Sequence, residues 1–268
     1  MHDPWEGKSH SNNGANLSNL LTLARDLKRR KARERRSLFV AEGIRCVEEL
    51  LGSKLDIQGS LVSPQLASTE RGQAVISGLR ARGVEIQEVS ENEFESAAET
   101  DSPQGILAIA KIPRYGMERL AGEHLRLVVL DAVQDPGNVG TIVRTAAALG
   151  ANATLALPGT VDFWNAKVVR SSMGAQFRHP VINVTDEELA NLFRRESIEL
   201  WAADAGGEPL ALQQPPNKLA IAVGNEGAGL SSIVRGLANR VVSLPIRGEV
   251  ESLNVAVAAG IILYELNK

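Results

Sequence analysis

Three short stretches in the second half of the chain hold polar side chains in turns that follow apolar strands. They read DAVQDPGNVGTIVRTAAALGA at 131–151, GNEGAGL at 224–230 and ESLNVAVAAG at 251–260. Glycine-rich turns let the backbone close on a ligand, and small-molecule sites use a few polar groups fixed in such loops. The polar side chains are those of Asn138, Glu226, Ser252 and Asn254. Their types and positions predict a small-molecule site that three separate loops assemble.

Each of these side chains also has an ordinary structural explanation. Glu226 precedes a helix predicted at Ser231–Leu237, where the helix dipole favours a carboxylate. Ser252 or Asn254 could simply cap the last helix. The ligand site is favoured because all of them follow predicted parallel strands, and open α/β sheets bind ligands at that carboxyl edge.

Arg144 is the only charged residue of the helix predicted near Val139–Leu149. A lone arginine on a helix can pack its stem and extend its head into water. In the other interpretation, its cation is directed into a site at the carboxyl edge of the sheet. The residues alone leave both interpretations open. Asn138 is predicted to cap the start of this helix, and Gly150 its end.

The same residues argue against several common kinds of site. The first turn offers only Gly137 and Gly140, which is not the G-x-G-x-x-G dinucleotide fingerprint, and no Walker lysine motif exists. There is no G-x-S-x-G elbow of a serine hydrolase. Four histidines and the single Cys46 leave no metal cluster and no internal disulfide to be expected.

The elements that must position these groups follow a regular alternation. From Leu127 onward, apolar strands alternate with helices, which predicts an open parallel sheet with helices on both sides. The first half reads β-α-β-α-β and predicts a smaller α/β domain. We therefore expect a disordered tail at 1–19, one domain at 20–111, a linker at 112–124 and a second domain at 125–268.

Composition limits location and partners. The hydrophobic content of 44% is ordinary for a globular protein, and the net charge of −3 gives no global argument for nucleic acid. No apolar run reaches the roughly 18 residues that span a membrane, and the N-terminus lacks the apolar core of a signal peptide. A single cysteine fits a reducing compartment, so we expect a cytoplasmic protein without a membrane partner.

The charge is unevenly distributed, with a basic run RDLKRRKARERR at 25–36. A single helix is predicted from Leu20 to about Arg36. The run could be a solvated helix face, but eight basic residues among twelve are the footprint of phosphate binding. Arg29, Arg30 and Arg33 are the predicted contacts to nucleic-acid phosphates.

Taken together, these motifs resemble those of the SpoU/TrmH branch of the SPOUT RNA methyltransferases. The similar stretches are DPGNVGTIVRTA at 135–146, RSSMGA at 170–175, GNEGAGL at 224–230 and LPIRGEVESLNVAVAAG at 244–260. RRKARERRSLFVAEG at 29–43 and DSPQGILAIA at 101–110 are similar to the family's small substrate-binding domain. The resemblance therefore covers both predicted domains.

The resemblance implies a fold with a deep trefoil knot, a homodimer and S-adenosylmethionine as the cofactor. Backbone groups at Gly224, Leu244 and Leu253 would hold the cofactor. The implied reaction is methyl transfer to a ribose 2′-hydroxyl in RNA, with ribosomal RNA favoured over tRNA.

The family motifs also imply roles for the polar side chains. Arg144 would be the catalytic arginine, and Asn138, Glu226, Ser252 and Asn254 would organise it and the substrate. Whether Arg144 removes the proton or only positions the hydroxyl stays open, since arginine is a poor base. A tRNA substrate, a base-directed methyltransferase and a non-catalytic RNA-binding assembly factor are the alternatives.

Overall fold

The computed structural model describes residues 19–247 and 252–267. The predicted tail at 1–19 therefore lies, apart from Asn19, outside the described residues. Within the described part of the chain, the strands form a four-stranded sheet and a six-stranded sheet. The α/β class predicted from the sequence is confirmed, and each sheet is covered by helices.

The first sheet has strands in the order β1-β4-β2-β3, with β1 and β2 antiparallel to β4, and β3 parallel to β2. Its elements are α1 (Leu20–Asp26), α2 (Arg30–Arg36), β1 (Leu38–Glu42), α3 (Ile44–Leu51), β2 (Ile57–Val62), α4 (Pro64–Ala67), α5 (Glu70–Ala81), β3 (Ile86–Glu88), α6 (Glu91–Ala97) and β4 (Ile106–Lys111). The middle strand β4 is almost completely buried because both of its edges are paired.

The basic segment forms two helices, so the prediction of one helix over Leu20–Arg36 is wrong. Helix α1 ends at Asp26, and Arg29 is extended before α2 begins. The guanidinium of Arg33 donates to the carbonyl oxygens of Leu27 and Lys28, at 2.8 Å each. These carbonyls would otherwise lack donors at a helix end, so Arg33 stabilises the break.

The second sheet is parallel throughout, in the order β10-β8-β9-β5-β6-β7. Its elements are β5 (Leu125–Asp131), α7 (Pro136–Ala148), β6 (Ala153–Ala156), α8 (Ala166–Ser171), β7 (Val181–Asn183), α9 (Asp186–Glu196), β8 (Glu199–Pro209), β9 (Lys218–Gly224), α10 (Ser232–Leu237), β10 (Arg240–Ser243) and α11 (Val255–Leu266). Short 3-10 turns lie at Met117–Arg119, Ala175–Phe177 and Leu210–Leu212. Strand β8 extends as far as Pro209, because its pairing with β10 resumes after a bulge.

The two central strands β5 and β9 end side by side. Asp131 at the end of β5 is the register partner of Gly224 at the end of β9. The loops that follow both strands therefore begin at one point of the carboxyl edge. Residues 248–251, within the family-like stretch at 244–260, lie outside the described residues. The trefoil knot that the resemblance implies for this part of the chain stays a prediction.

Aromatic rings join the two sheets through a shared core. Phe39 on β1 has its ring centre 4.5 Å from that of Trp164 and 5.6 Å from that of Phe177. Helix α8 packs against β1, and apolar side chains of both sheets belong to one contiguous buried cluster. The first sheet is thus held against the second by buried apolar surface.

No helix in residues 19–247 or 252–267 has the length and apolar character needed to cross a bilayer.

Candidate active site

Three of the predicted polar side chains form a hydrogen-bonded chain. Asn254 Nδ2 donates to Asn138 Oδ1 at 2.9 Å. Asn138 Nδ2 in turn donates to Glu226 Oε1 at 2.9 Å. These residues lie 88 and 116 positions apart in the sequence, so the fold alone brings them together.

Glu226 is fixed by the turn that starts α7, and not by its own following helix. Its carboxylate accepts hydrogen bonds from the backbone N–H groups of Gln134 and Asp135, at 3.3 Å each. Partial burial acts to raise the pKa of Glu226. The hydrogen bonds, led by the one from Asn138, outweigh burial and hold this pKa below its ordinary value. The carboxylate is therefore ionised at neutral pH and aligned with the first motif.

The prediction that Asn138 caps α7 is wrong. Asp135 is the N-cap residue, and its carboxylate accepts from the backbone N–H of Asn138 at 2.8 Å. This leaves the Asn138 amide free to join Glu226 to Asn254. Asn254 caps α11 and also contacts Asn138. Its Oδ1 accepts from the N–H groups of Ala256 and Val257, while its Nδ2 donates to Asn138 Oδ1. Gly150, in the left-handed region with φ +76°, follows the end of α7 as predicted.

Sequence reasoning missed two residues that shape the glycine turn after β9. Asn225 Oδ1 accepts from the N–H groups of Gly227 and Ala228, and its Nδ2 donates to the carbonyl of Ala132, all at 2.9 Å. The buried Asp131 accepts from the N–H of Ser231 at 2.6 Å. An asparagine within a glycine-rich turn is a turn signal that could have identified Asn225.

Gly224 is required by the close return of this turn. A Cβ atom at Gly224 would lie 2.4 Å from the backbone carbon of Gly229 and 2.6 Å from the backbone nitrogen of Leu230. No side chain fits there without moving backbone. The glycine requirement is thus a packing requirement of the turn that carries Glu226.

A cavity of about 560 Å³ opens at this carboxyl edge. The predicted site residues that line it are Gly224, Glu226, Leu244, Ser252, Leu253 and Asn254. Much of the remaining wall is apolar, with Val223, Ile246 and Ile262 among its residues. Its size and its apolar wall with a polar rim are those of a small-molecule pocket.

Arg144 lies outside this cavity, on the exposed side of α7. Helix α7 packs against α11, where a Cβ atom at Gly260 would contact the Thr145 side chain at 3.5 Å. Among the described residues, the Arg144 guanidinium has no hydrogen-bond or ion-pair partner. The structure thus leaves this cation available to a bound molecule, one residue from the contact between the two helices.

The predicted RNA contacts divide into two kinds. Arg29, just before α2, and Arg30, the first residue of α2, are exposed and pair with Asp26 and Glu34 respectively. Arg33 is only 3% exposed, and its guanidinium forms an ion pair with Asp162 at 2.7 Å. The prediction that Arg33 contacts RNA is therefore wrong, because all three nitrogen atoms of its guanidinium group have partners inside the protein.

These features define the class of protein. An α/β domain carries a small-molecule pocket at the carboxyl edge of a parallel sheet, and a smaller domain beside it presents a basic helix. The chain belongs to the SpoU rRNA methylase family, whose sequence model matches residues 126–264. Residues 22–108 match the MRM3-like substrate binding domain. The family inferred from the motifs is confirmed.

Relatives match over nearly the whole chain. The 23S rRNA (guanosine(2553)-2'-O)-methyltransferase RlmP of Bacillus subtilis is 34% identical over 238 residues, covering 88% of this chain and 91% of that protein. An AdoMet-bound rRNA methyltransferase from Sinorhizobium meliloti superposes with a TM-score of 0.81 at 29% identity, covering 93% and 95% of the two chains. The SpoU methyltransferase AviRb from Streptomyces viridochromogenes, in complex with the cofactor AdoMet, gives 0.82 at 27% identity, covering 92% and 96%.

Proposed function

We propose that this protein transfers a methyl group from S-adenosylmethionine to a ribose 2′-hydroxyl of 23S-type ribosomal RNA. The observation that carries the proposal is the hydrogen-bonded chain of Asn254, Asn138 and Glu226, whose two end members line the pocket. Its support is the similarity to RlmP over 91% of that enzyme's length. Ribosomal RNA is preferred over tRNA because the first half of the chain matches a substrate-binding domain.

The pocket fits the cofactor. The turn at Gly224 allows backbone to approach a ligand where any Cβ would collide with Gly229. Leu244 and Leu253 both line the cavity, and their apolar side chains suit a flat ring such as the adenine of the cofactor. We assign Gly224, Leu244 and Leu253 to cofactor binding. When bound, S-adenosylmethionine supplies a methyl group on a positively charged sulfur, which is already a strong electrophile.

The protein must therefore mainly align a weak nucleophile with that methyl group. Such positioning contributes about 7–11 kcal/mol to lowering a barrier. Glu226, Ser252 and Asn254 line the pocket, and Asn138 links Glu226 to Asn254. In the proposed mechanism they orient the ribose. The planar guanidinium group of Arg144 donates to the hydroxyl and to the neighbouring phosphate, because arginine is a poor base and a good phosphate ligand.

In this proposal, residues 20–111 form the RNA substrate-binding domain, 112–124 the linker and 125–268 the methyltransferase domain. Arg29, before α2, and Arg30, on α2, contact RNA phosphates. The Arg30–Glu34 pair is exposed on both sides, so it contributes little stability and is readily exchanged for a phosphate, and the Arg29 side chain is itself 75% exposed. With a ribosomal RNA substrate, the location that we propose is the cytoplasm.

Labelled S-adenosylmethionine tests this function directly. The purified chain is incubated with an unmodified 23S rRNA transcript, with total tRNA in a parallel reaction, and the labelled RNA is digested to nucleosides. We expect label on a ribose 2′-oxygen of the 23S transcript. Label on a base identifies a base-directed enzyme, and label only in tRNA overturns the ribosomal assignment. Failure to bind S-adenosylmethionine in calorimetry favours a non-catalytic assembly factor.

We further propose that the protein is a homodimer that pairs through α11. Val257 and Ile261 lie one turn apart on α11 and are 52% and 40% exposed, and Leu253, 37% exposed, lies just before the helix and four residues before Val257. Exposed apolar rows of this kind are typical of isologous interfaces. The row begins at Leu253 in the pocket wall, so the interface and the cofactor site are adjacent.

Val257→Glu is expected to convert the dimer to a monomer, because a buried unpaired carboxylate is costly at an interface. The measurement is molar mass by light scattering. Ile233→Glu is the matched control, since Ile233 is 49% exposed on α10, a different helix. Equal masses for both variants and the wild-type protein would remove α11 from the interface.

A further inference from the structure

A second cavity lies between the two domains, beside the polar chain. It measures about 360 Å³ and separates α2 from the loop that follows β6. Its walls include Arg30 of α2, Gln134 of the turn before α7 and Asn165 at the start of α8. Because the backbone N–H of Gln134 donates to Glu226, the cavity adjoins the site at which the ribose is expected.

Three side chains on these walls carry hydrogen-bond donors that are unused among the described residues. Arg30 donates to Glu34 through Nε at 2.7 Å, which leaves its two Nη groups without partners. Asn165 accepts from the N–H of Lys167 through Oδ1 at 2.9 Å, which leaves Nδ2 without one. The side-chain amide of Gln134 also has no partner within residues 19–247 and 252–267. Side chains from both domains thus present donors to one space.

The carboxylate at the base of this cavity does not oppose an anion. Asp162 Oδ2 accepts from Arg33 Nε at 2.8 Å and Nη2 at 2.7 Å. Its Oδ1 accepts from the N–H of Trp164 at 3.0 Å. The buried Arg33 therefore offsets the charge of Asp162. The side chains of Arg30, Asn165 and Gln134 then contribute unused donors to the cavity.

We propose that this cavity binds the phosphodiester group of a nucleotide that flanks the methylated one. The proposal rests on the proposed function, since it places the flanking nucleotide beside the turn that carries Glu226. A cavity of about 360 Å³ has the volume of a small-ligand site, and charge-assisted donors are strong phosphate ligands. Arg33 then serves RNA binding indirectly, as the positioning residue that neutralises Asp162.

Asn165→Asp tests the cavity with little risk to folding. Aspartate caps a helix as well as asparagine does, so the bond from Lys167 is kept while the Nδ2 donor becomes an oxygen of a carboxylate. Asn152→Asp is the matched control. Asn152 also accepts a backbone hydrogen bond, from Arg126, but it precedes β6 at the opposite edge of the sheet. Both variants change the net charge equally.

Binding of a 23S rRNA transcript is measured by fluorescence anisotropy, and KM and kcat are measured with the same transcript. We expect Asn165→Asp to weaken binding and raise KM by about tenfold, because a carboxylate would face a phosphate. Its kcat and its affinity for S-adenosylmethionine should stay at wild-type values, and Asn152→Asp should change none of them. Arg30→Gln should reduce the slope of log K against log salt by about 0.7–0.9.

Equal RNA affinities for Asn165→Asp and Asn152→Asp would overturn the cavity proposal. The binding arm separates this result from failure of the proposed function. If the wild-type chain binds the transcript but transfers no methyl group, the function is wrong and the two variants still decide the cavity. If the wild-type chain binds no RNA, both proposals fail.

Discussion

Arg144→Ala should fold, bind S-adenosylmethionine normally and lose about 10²–10³-fold in kcat, the loss typical of removing one aligned donor from a catalytic site. The guanidinium is exposed and has no partner among the described residues, so its removal breaks no internal contact. The measurements are thermal denaturation, calorimetry with the cofactor and single-turnover methylation of the RNA.

Two further variants make this result specific. Arg194→Ala removes an exposed arginine from α9, where it contacts only Asn191, and should keep wild-type activity. Arg144→Lys keeps the charge but not the planar fork, and should recover only part of the lost rate. Wild-type methylation by Arg144→Ala would exclude any catalytic role for this residue.

Glu226→Gln should lower kcat by about 10²-fold, which is the loss expected when a reacting group is displaced by about 1 Å. The carboxylate accepts hydrogen bonds from donors, among them Asn138 Nδ2 and the N–H groups of Gln134 and Asp135. The glutamine amide nitrogen would oppose at least one of them. The first and third motifs would then lose their shared alignment.

The difference in stability between the wild-type protein and this variant should depend on pH. The folded pKa of Glu226 lies below its ordinary value, so its stabilising contribution is present above about pH 4.5 and is lost as the pH falls through the folded pKa. The wild-type advantage in free energy of unfolding over Glu226→Gln should therefore be constant from pH 7 to about pH 5 and shrink below that. Glu187→Gln, an exposed change on α9, is the control for both activity and stability. Equal kcat values for the two variants would show that the carboxylate does not align the site.

The convergence of the three motifs was predictable because parallel strands end at one edge of their sheet. Which side chain caps α7 and which side chains contact one another at that edge could not be predicted. Asp135 and Asn138 are both good capping residues three positions apart, and local sequence cannot rank them. Glu226 decides between them, since it arrives from a different strand and engages the Asn138 amide.

Arg33 illustrates the same limit in the first domain. It stands among eight basic residues, and nothing in that run distinguishes it from Arg29 or Arg30. Its burial depends on Asp162, which lies 129 positions away. The helix break before Arg30 was missed for the same reason, because it contains no glycine or proline and is held by the Arg33 side chain.

The packing of Phe39 against Trp164 and Phe177 bears on the catalytic cycle of the proposed enzyme. Separating the two sheets would expose these rings to water, at a cost of about 1.5–3 kcal/mol for each. A hinge motion that closes on substrate and reopens on product is therefore disfavoured. The RNA must undergo the rearrangement instead, so turnover is expected to depend on how readily the target nucleotide leaves its own base stack.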